Sequence, residues 1–186
     1  ELGLPEALQK RLEKLNSAKA GILIVSGPGG SGVTSTLYSL LRAHDAYMQQ
    51  LAGIEKEKTL DLENVTQVTY KDPPDEAAKL ASLLRRDPDV VMIDDCPTAQ
   101  VANLIAESGQ DKNLLLGLSG DSVFAALARW IKVCGNDRPK ALRALKAVTS
   151  QVLMRKICPN CWEAFRPAKE MLTKLNLKAE DVDKLY

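Results

Sequence analysis

Residues 22–41 read Ile22-Leu23-Ile24-Val25-Ser26-Gly27-Pro28-Gly29-Gly30-Ser31-Gly32-Val33-Thr34-Ser35-Thr36-Leu37-Tyr38-Ser39-Leu40-Leu41. A continuous β-branched apolar run, here Ile22 to Val25, is the pattern of a strand covered on both faces in a parallel sheet. After the glycine-rich turn, apolar residues recur at helical spacing. Strand, glycine loop and helix form the layout of a phosphate-binding loop, because glycines let backbone amides at a helix N-terminus turn onto phosphate oxygens. The motif is Gly27-x-x-x-x-Gly32-Val33-Thr34. Thr34 keeps the hydroxyl such loops offer to Mg²⁺, but Val33 occupies the place of the Lys that bridges the terminal phosphates. Losing a charge-assisted contact of that kind costs about 1.5–3 kcal/mol in binding. Transition-state stabilisation suffers more, since phosphoryl transfer depends chiefly on electrostatics and positioning. Two readings of the turn follow. Gly27, Gly29, Gly30, Ser31, Gly32, Val33, Thr34 and Ser35 form a weakened amide cradle for a nucleotide, or they form a tight turn that holds no ligand.

Outward from this stretch, Leu4, Leu8, Leu12 and Leu15 predict an amphipathic lead-in helix over residues 1–20. Residues 43–63 read as further helix, with Glu55-Lys56-Glu57-Lys58 as a solvated charged face. Val65 to Tyr70 alternates like an edge strand, and Pro73-Pro74-Asp75-Glu76 opens a helix that turns Ala77, Leu80, Leu83 and Leu84 inward. Val90 to Ile93 and Leu114 to Leu118 read as buried strands, with a helix between them over about 98–108. A helix carrying Val123, Phe124, Leu127, Trp130 and Ile131 into the core stops at Gly135. Pro139 then opens another helix with Leu142, Leu145, Val148 and Val152 on one face. The alternation implies a parallel α/β core. The expected organisation is a lead-in over 1–20, a nucleotide-loop core over 21–157 and a small cysteine-containing appendage over 158–186.

The 186 residues and 45% apolar content suffice for one sizeable core. A formal charge of +1 argues against a polybasic nucleic-acid face, and 4% aromatics leave little material for stacking unpaired bases. Apolar runs fall far short of the roughly 20 residues of a membrane-spanning helix. No secretory leader precedes the first helix, so a cytoplasmic setting is expected. The missing initiating Met, and a helical-looking segment running to Tyr186, read as a piece of a longer chain.

Asp94 and Asp95 end the strand Val90 to Ile93. In a nucleotide-binding α/β core such carboxylates face Mg²⁺ and the attacking water; otherwise they cap a turn at the strand end. Cys158 and Cys161 form one CxxC, which reads as half a tetrahedral zinc site, as free thiols or as a redox pair. His44, the single histidine, reads as a surface residue, and Cys96 and Cys134 as buried apolar ones.

Three stretches together resemble the bacterial type II secretion system protein E and type IV pilus assembly ATPases, which are RecA-like P-loop NTPases. Gly21 to Leu41 looks like the family's nucleotide loop, whose usual form has Thr at position 29, Lys at 33 and Thr at 35. Leu83 to Ile93 resembles the run into its Walker B strand, and Gln151 to Cys161 the entry to its cysteine-rich module. The resemblance implies a RecA-like core, mostly parallel and flanked by helices, with a small helical C-terminal appendage. It further implies ATP or ADP with Mg²⁺ in the loop, and zinc only with a second cysteine pair outside this chain. Implied partners are copies of itself or related ATPase subunits, and inner-membrane secretion or pilus proteins that would hold it at that membrane.

The departures are as specific. The family's Gly-Glu at the end of Walker B is Asp94-Asp95 here, which leaves Asp95 as the catalytic carboxylate. Its following Arg is gone, Ser119 occupies the position of its His-box histidine, and its acidic box is not recognisable around Val68 to Lys71. Four degraded elements in one site point to lost hydrolysis and to a structural or regulatory component. The competing readings are a working ATPase that recruits a Lys or Arg from a neighbouring subunit, and a zinc or thiol module on a vestigial scaffold.

Overall fold

The computed structural model describes residues 3–158, 160–178, 182 and 184. The end of the helix expected at the C-terminus, and Pro159 within the CxxC, lie outside the described residues. Six strands, β1 (Gly21–Gly27), β2 (Leu51–Glu55), β3 (Val65–Thr69), β4 (Val90–Ile93), β5 (Asn113–Ser119) and β6 (Leu145–Ser150), form one sheet in the order β3-β2-β4-β5-β1-β6. Every pairing is parallel.

Parallel strands need crossovers, and those crossovers cover both sheet faces. Strand alternation divides β1 accordingly. Ile22 and Ile24 pack with helices α3 (Pro73–Leu84), α4 (Ala99–Ser108) and α5 (Val123–Cys134) and the short α6 (Arg138–Arg143), whereas Leu23 and Val25 pack with α2 (Val33–Arg42). This double coverage is why Ile22 to Val25 and Val90 to Ile93 are continuous apolar runs and why each is buried throughout. Asp72 caps α3 from its side chain to the amide of Asp75, with prolines at the first helical positions. Ala77, Leu80 and Leu83 turn inward as expected, and Leu84 packs at the margin.

The lead-in helix α1 (Glu6–Asn16) is held by polar contacts more than by its leucines. Of these, Leu12 is buried and Leu8 is exposed. The Asn16 amide donates to the Leu40 carbonyl at 2.8 Å, and Asn113 donates to the Asn16 carbonyl at 2.6 Å. Lys146 donates to Asn113 Oδ1 at 2.6 Å and to the Leu15 carbonyl at 3.2 Å. No carboxylate among the described residues offsets its burial, which pulls the Lys146 amine down to about 8.

Five expectations are corrected. The helix expected over 43–63 is a set of turns followed by β2, an interior strand in which every residue is buried. Glu55 is therefore not part of a solvated face; it is 1% exposed. His44 is half-buried in the turn before β2, with Nδ1 3.2 Å from Gln49 Oε1. The helix expected from Pro139 to Val152 stops at Arg143, and Leu145 to Ser150 instead extends the sheet beside β1. The spacing of Leu142, Leu145, Val148 and Val152 straddles a helix and a strand, so it mimics one helical face. Val123 and Phe124, expected in the core, are 38% and 82% exposed, because they stand on the solvent side of the first turn of α5, whose Ala126, Trp130 and Cys134 are the residues buried against the core.

Two compact units divide the chain, Glu1–Leu153 and Met154–Tyr186. The second contains α7 (Lys169–Lys174), whose Leu172 is buried. No helix among the described residues is long and apolar enough to cross a membrane.

Gly117 of β5 sits where the sheet, α2 and Asp94 converge. A Cβ there would lie 2.5 Å from the Asp94 carbonyl oxygen and 3.0 Å from Leu37 Cδ1. Gly117→Ala is expected to destabilise the fold by about 1–3 kcal/mol, the usual cost of overpacking. Urea denaturation checks it: the midpoint falls while the slope is unchanged.

Candidate nucleotide site

The turn from β1 into α2 is built by its glycines. Gly30 and Gly32 take φ of +77° and +84°, the left-handed region that glycine enters without strain, and Gly32 is the N-cap of α2. A Cβ on Gly27 would lie 2.1 Å from Ser31 Oγ and 2.6 Å from the Gln151 carbonyl oxygen, so the loop closes only on a glycine there. Gln151, just beyond β6, braces the loop from below: Nε2 donates to the Ser31 carbonyl at 2.9 Å, and Oε1 accepts from Thr36 Oγ1 at 2.8 Å. No side chain caps α2. Its first-turn amides, which have no partner within a helix, are left to the cleft.

That cleft is about 530 Å³ and is lined by residues 27–35 of the loop, Asp94, Asp95, Leu118, Ser119 and Leu153. The parallel sheet brings these groups together from three strand ends. All the residues expected in the loop are in this lining, and Asp94 and Asp95 join them. Among the described lining residues none is Lys, Arg or His. Val33 is half-buried and packs on the apolar cluster of Leu23, Val25, Leu37 and Met92, so the position that would carry a cation contributes to the core.

The acidic groups at this edge have different fates. Asp94 accepts from the Lys56 amide at 2.7 Å and from the Tyr70 hydroxyl at 2.9 Å, one donor on each oxygen. Burial pushes its carboxyl up, while those two donors pull the other way. Asp95 Oδ1 accepts from the Cys96 amide at 2.8 Å and from Arg129 Nη2 at 2.8 Å. Arg129 Nη1 also donates to the Ser119 hydroxyl and, at 3.3 Å, to the Ser119 carbonyl. Ser119, at the position where the resembled family has histidine, thus carries a guanidinium from α5. Glu55 Oε2 accepts from the Tyr38 hydroxyl and Oε1 from Gln67 Nε2 at 3.1 Å. The Tyr38 hydroxyl in turn accepts from the Thr59 amide at 3.3 Å. Glu76 is fully buried, and neither of its oxygens has a partner among the described residues. Burial, reinforced by the charges of Asp94 and Asp95, pushes its carboxyl up to about 8.

Arg129, Glu55, Glu76 and Gln151 are the site residues that sequence reasoning missed. Glu55 had a signal: Leu51-Ala52-Gly53-Ile54 is an apolar run ending on an acid, as Val90 to Ile93 ends on Asp94. Arg129 and Gln151 had none, since only the folded chain brings them to the loop.

The amide cradle and the Thr34 hydroxyl fit a magnesium-bound polyphosphate, although the lining supplies no counter-cation. Cys158 and Cys161 are exposed thiols, two of the four ligands a structural zinc site needs, and among the described residues no group of three or more His, Cys, Asp or Glu gathers. Amides of Asn160 and Cys161 and the Cys161 thiol hold the Cys158 thiol below its ordinary value; that same thiol pair pushes Cys161 up.

The family model described as "Type II/IV secretion system protein" matches residues 1–183. The type II secretion system protein E of Klebsiella pneumoniae is 33% identical over 163 residues, covering 86% of this chain and 33% of that protein. The type II secretion system ATPase E of Vibrio cholerae is 27% identical over 188 residues, covering 100% of this chain and 37% of that protein. The chain thus spans about a third of the length of these relatives. Among solved structures, the Legionella pneumophila ATPase DotB superposes with a TM-score of 0.65 at 19% identity, covering 77% of this chain and 42% of that one. The pilus retraction motor PilT with bound ADP gives 0.65 at 22%, covering 84% and 48%. These likenesses establish the RecA-like P-loop fold.

The Glu76 carboxyl generates a pH prediction. Its folded pKa of about 8 lies above the ordinary 4.5, so the folded state binds the proton more tightly. The resulting stability is fully present below about pH 4.5 and is lost as pH rises through about 8. Glu76→Gln keeps the shape and removes the titration. Urea midpoints at about pH 5 and about pH 9 should show the wild type losing stability relative to the variant across that interval.

Proposed function

The chain belongs to the type II/IV secretion system protein family, and from that premise we propose that it is a degenerate ATPase domain, hydrolysis-deficient, serving as a structural or regulatory component of a secretion or pilus assembly. The observation that carries this reading is that no Lys, Arg or His is among the described residues lining the cleft: Val33, half-buried against the core, stands in that lining where a lysine would, and Asp94 and Asp95 face the same space. A polyphosphate there meets loop amides and the α2 dipole but no lysine, and phosphoryl transfer draws most of its acceleration from such charge. The second support is Asp95, the remaining candidate for activating water, whose Oδ1 is committed to Arg129 and to the Cys96 amide.

In this role the loop amides and the Thr34 hydroxyl hold ATP or ADP with Mg²⁺ weakly, and the domain contributes an interface. Its partners are copies of itself or related ATPase subunits, together with inner-membrane proteins of the apparatus. It works in the cytoplasm, at the membrane only through those partners. Phosphate release from Mg-ATP tests the reading. Turnover by the chain is expected to match that of Asp95→Asn within the background of the assay. Magnesium-dependent turnover that Asp95→Asn abolishes would overturn it.

A further inference from the structure

The loop lacks its own cation, yet a guanidinium stands at the rim of its cleft. Arg129 bridges Asp95 and Ser119, both of which line the cleft. Ser119 is paired in register with Gly27, the first glycine of the loop, and the Gly120 amide donates to the Gly27 carbonyl at 3.3 Å. The anchor of the guanidinium is therefore one strand spacing, about 4.8 Å, from the turn that cradles phosphate. An arginine has five N–H donors, and the contacts to Asp95, the Ser119 hydroxyl and the Ser119 carbonyl leave donors over for an incoming oxyanion. The side chain is 30% exposed, so the group is held in place and open to solvent on one side. Of the other cations at this edge, Lys58 is paired with Asp61 and Lys79 with Asp75. Lys56, just beyond β2, meets this edge through its backbone amide, which donates to Asp94 Oδ2 at 2.7 Å; its side chain is not in the cleft lining.

We propose that Arg129 binds the terminal phosphate of a nucleoside polyphosphate in this cleft, in place of the cation missing at position 33, while its ion pair with Asp95 fixes the guanidinium. The proposal rests on the reading of the cleft as a nucleotide site. It accounts for how a loop without lysine retains phosphate. A planar guanidinium suits this double duty, since it serves a carboxylate and a phosphate from different edges, as an ammonium does not.

Isothermal titration of the 186-residue chain with Mg-ATP, Mg-ADP and inorganic pyrophosphate tests it, using Arg129→Ala, Arg129→Lys, Val33→Lys and the Val33→Lys/Arg129→Ala double variant. Circular dichroism first verifies that each is folded. Arg129→Ala is expected to weaken Mg-ATP and pyrophosphate roughly 10- to 100-fold, with Arg129→Lys intermediate. Arg129→Ala should cost much less in the Val33→Lys background than in the native one, a non-additivity that a merely structural role for Arg129 would not give. Equal affinities of wild type and Arg129→Ala for both ligands overturn the proposal, and so does an equal loss in the Val33→Lys background. Binding by Val33→Lys with a silent wild type also overturns it, while leaving the loop as a nucleotide site. Absence of binding by every protein, Val33→Lys included, overturns the nucleotide-site reading itself.

Discussion

Strand β1 lies between β5 and β6, hydrogen-bonded to both in parallel, and everything at the site depends on that placement. A strand in the interior of a sheet has its backbone groups paired on both sides, and with helices on both faces it has no exposed side chain. The chain leaves β1 at the one place where it can turn out of the sheet, its carboxyl end. Parallel pairing collects the carboxyl ends of the other strands at the same edge. The phosphate loop, the Asp94–Asp95 pair, Glu55 and Ser119 are neighbours for that reason, although they are scattered along the sequence.

Gathering strand ends also gathers charge in a partly buried place, and the protein resolves each acid differently. Glu55 is satisfied by a phenol and an amide, Asp94 by a phenol and a backbone N–H, and Asp95 by an ion pair. Glu76 has no donor among the described residues, and there desolvation wins: holding a proton is cheaper than holding a charge next to two carboxylates. The described lining of the cleft thus holds two acids, Asp94 and Asp95, and no Lys, Arg or His, the opposite of what a polyphosphate needs. Loop amides and the α2 dipole are the favourable terms that remain in its lining.

The fold and half of the site were legible in the sequence because they rest on local signals. The glycine turn, the doubly buried runs and the acids after Val90 to Ile93 each carry their meaning within about ten residues. The errors share one cause. Leu51 to Glu55 is short, holds a glycine and runs into the charged Lys56-Glu57-Lys58, so its strand character came from neighbours β3 and β4. Leu145 to Ser150 is a strand because β1 offers it an edge, although its apolar spacing imitates a helix. Phe124 fits the helical periodicity of α5 but stands on the solvent side of its first turn.

By itself the sequence determined that the chain builds a parallel α/β core, that a phosphate-type loop follows its first strand, and that the loop has lost its lysine. These are properties of contiguous residues, set by backbone conformation and side-chain chemistry. Only the tertiary structure decided what each charged group faces. Arg129 is ten residues from Ser119 and thirty-four from Asp95, yet it joins both; Gln151 braces a loop more than a hundred residues away. Electrostatics depends on distance in space and on burial, and neither quantity exists until the helices are laid over the sheet.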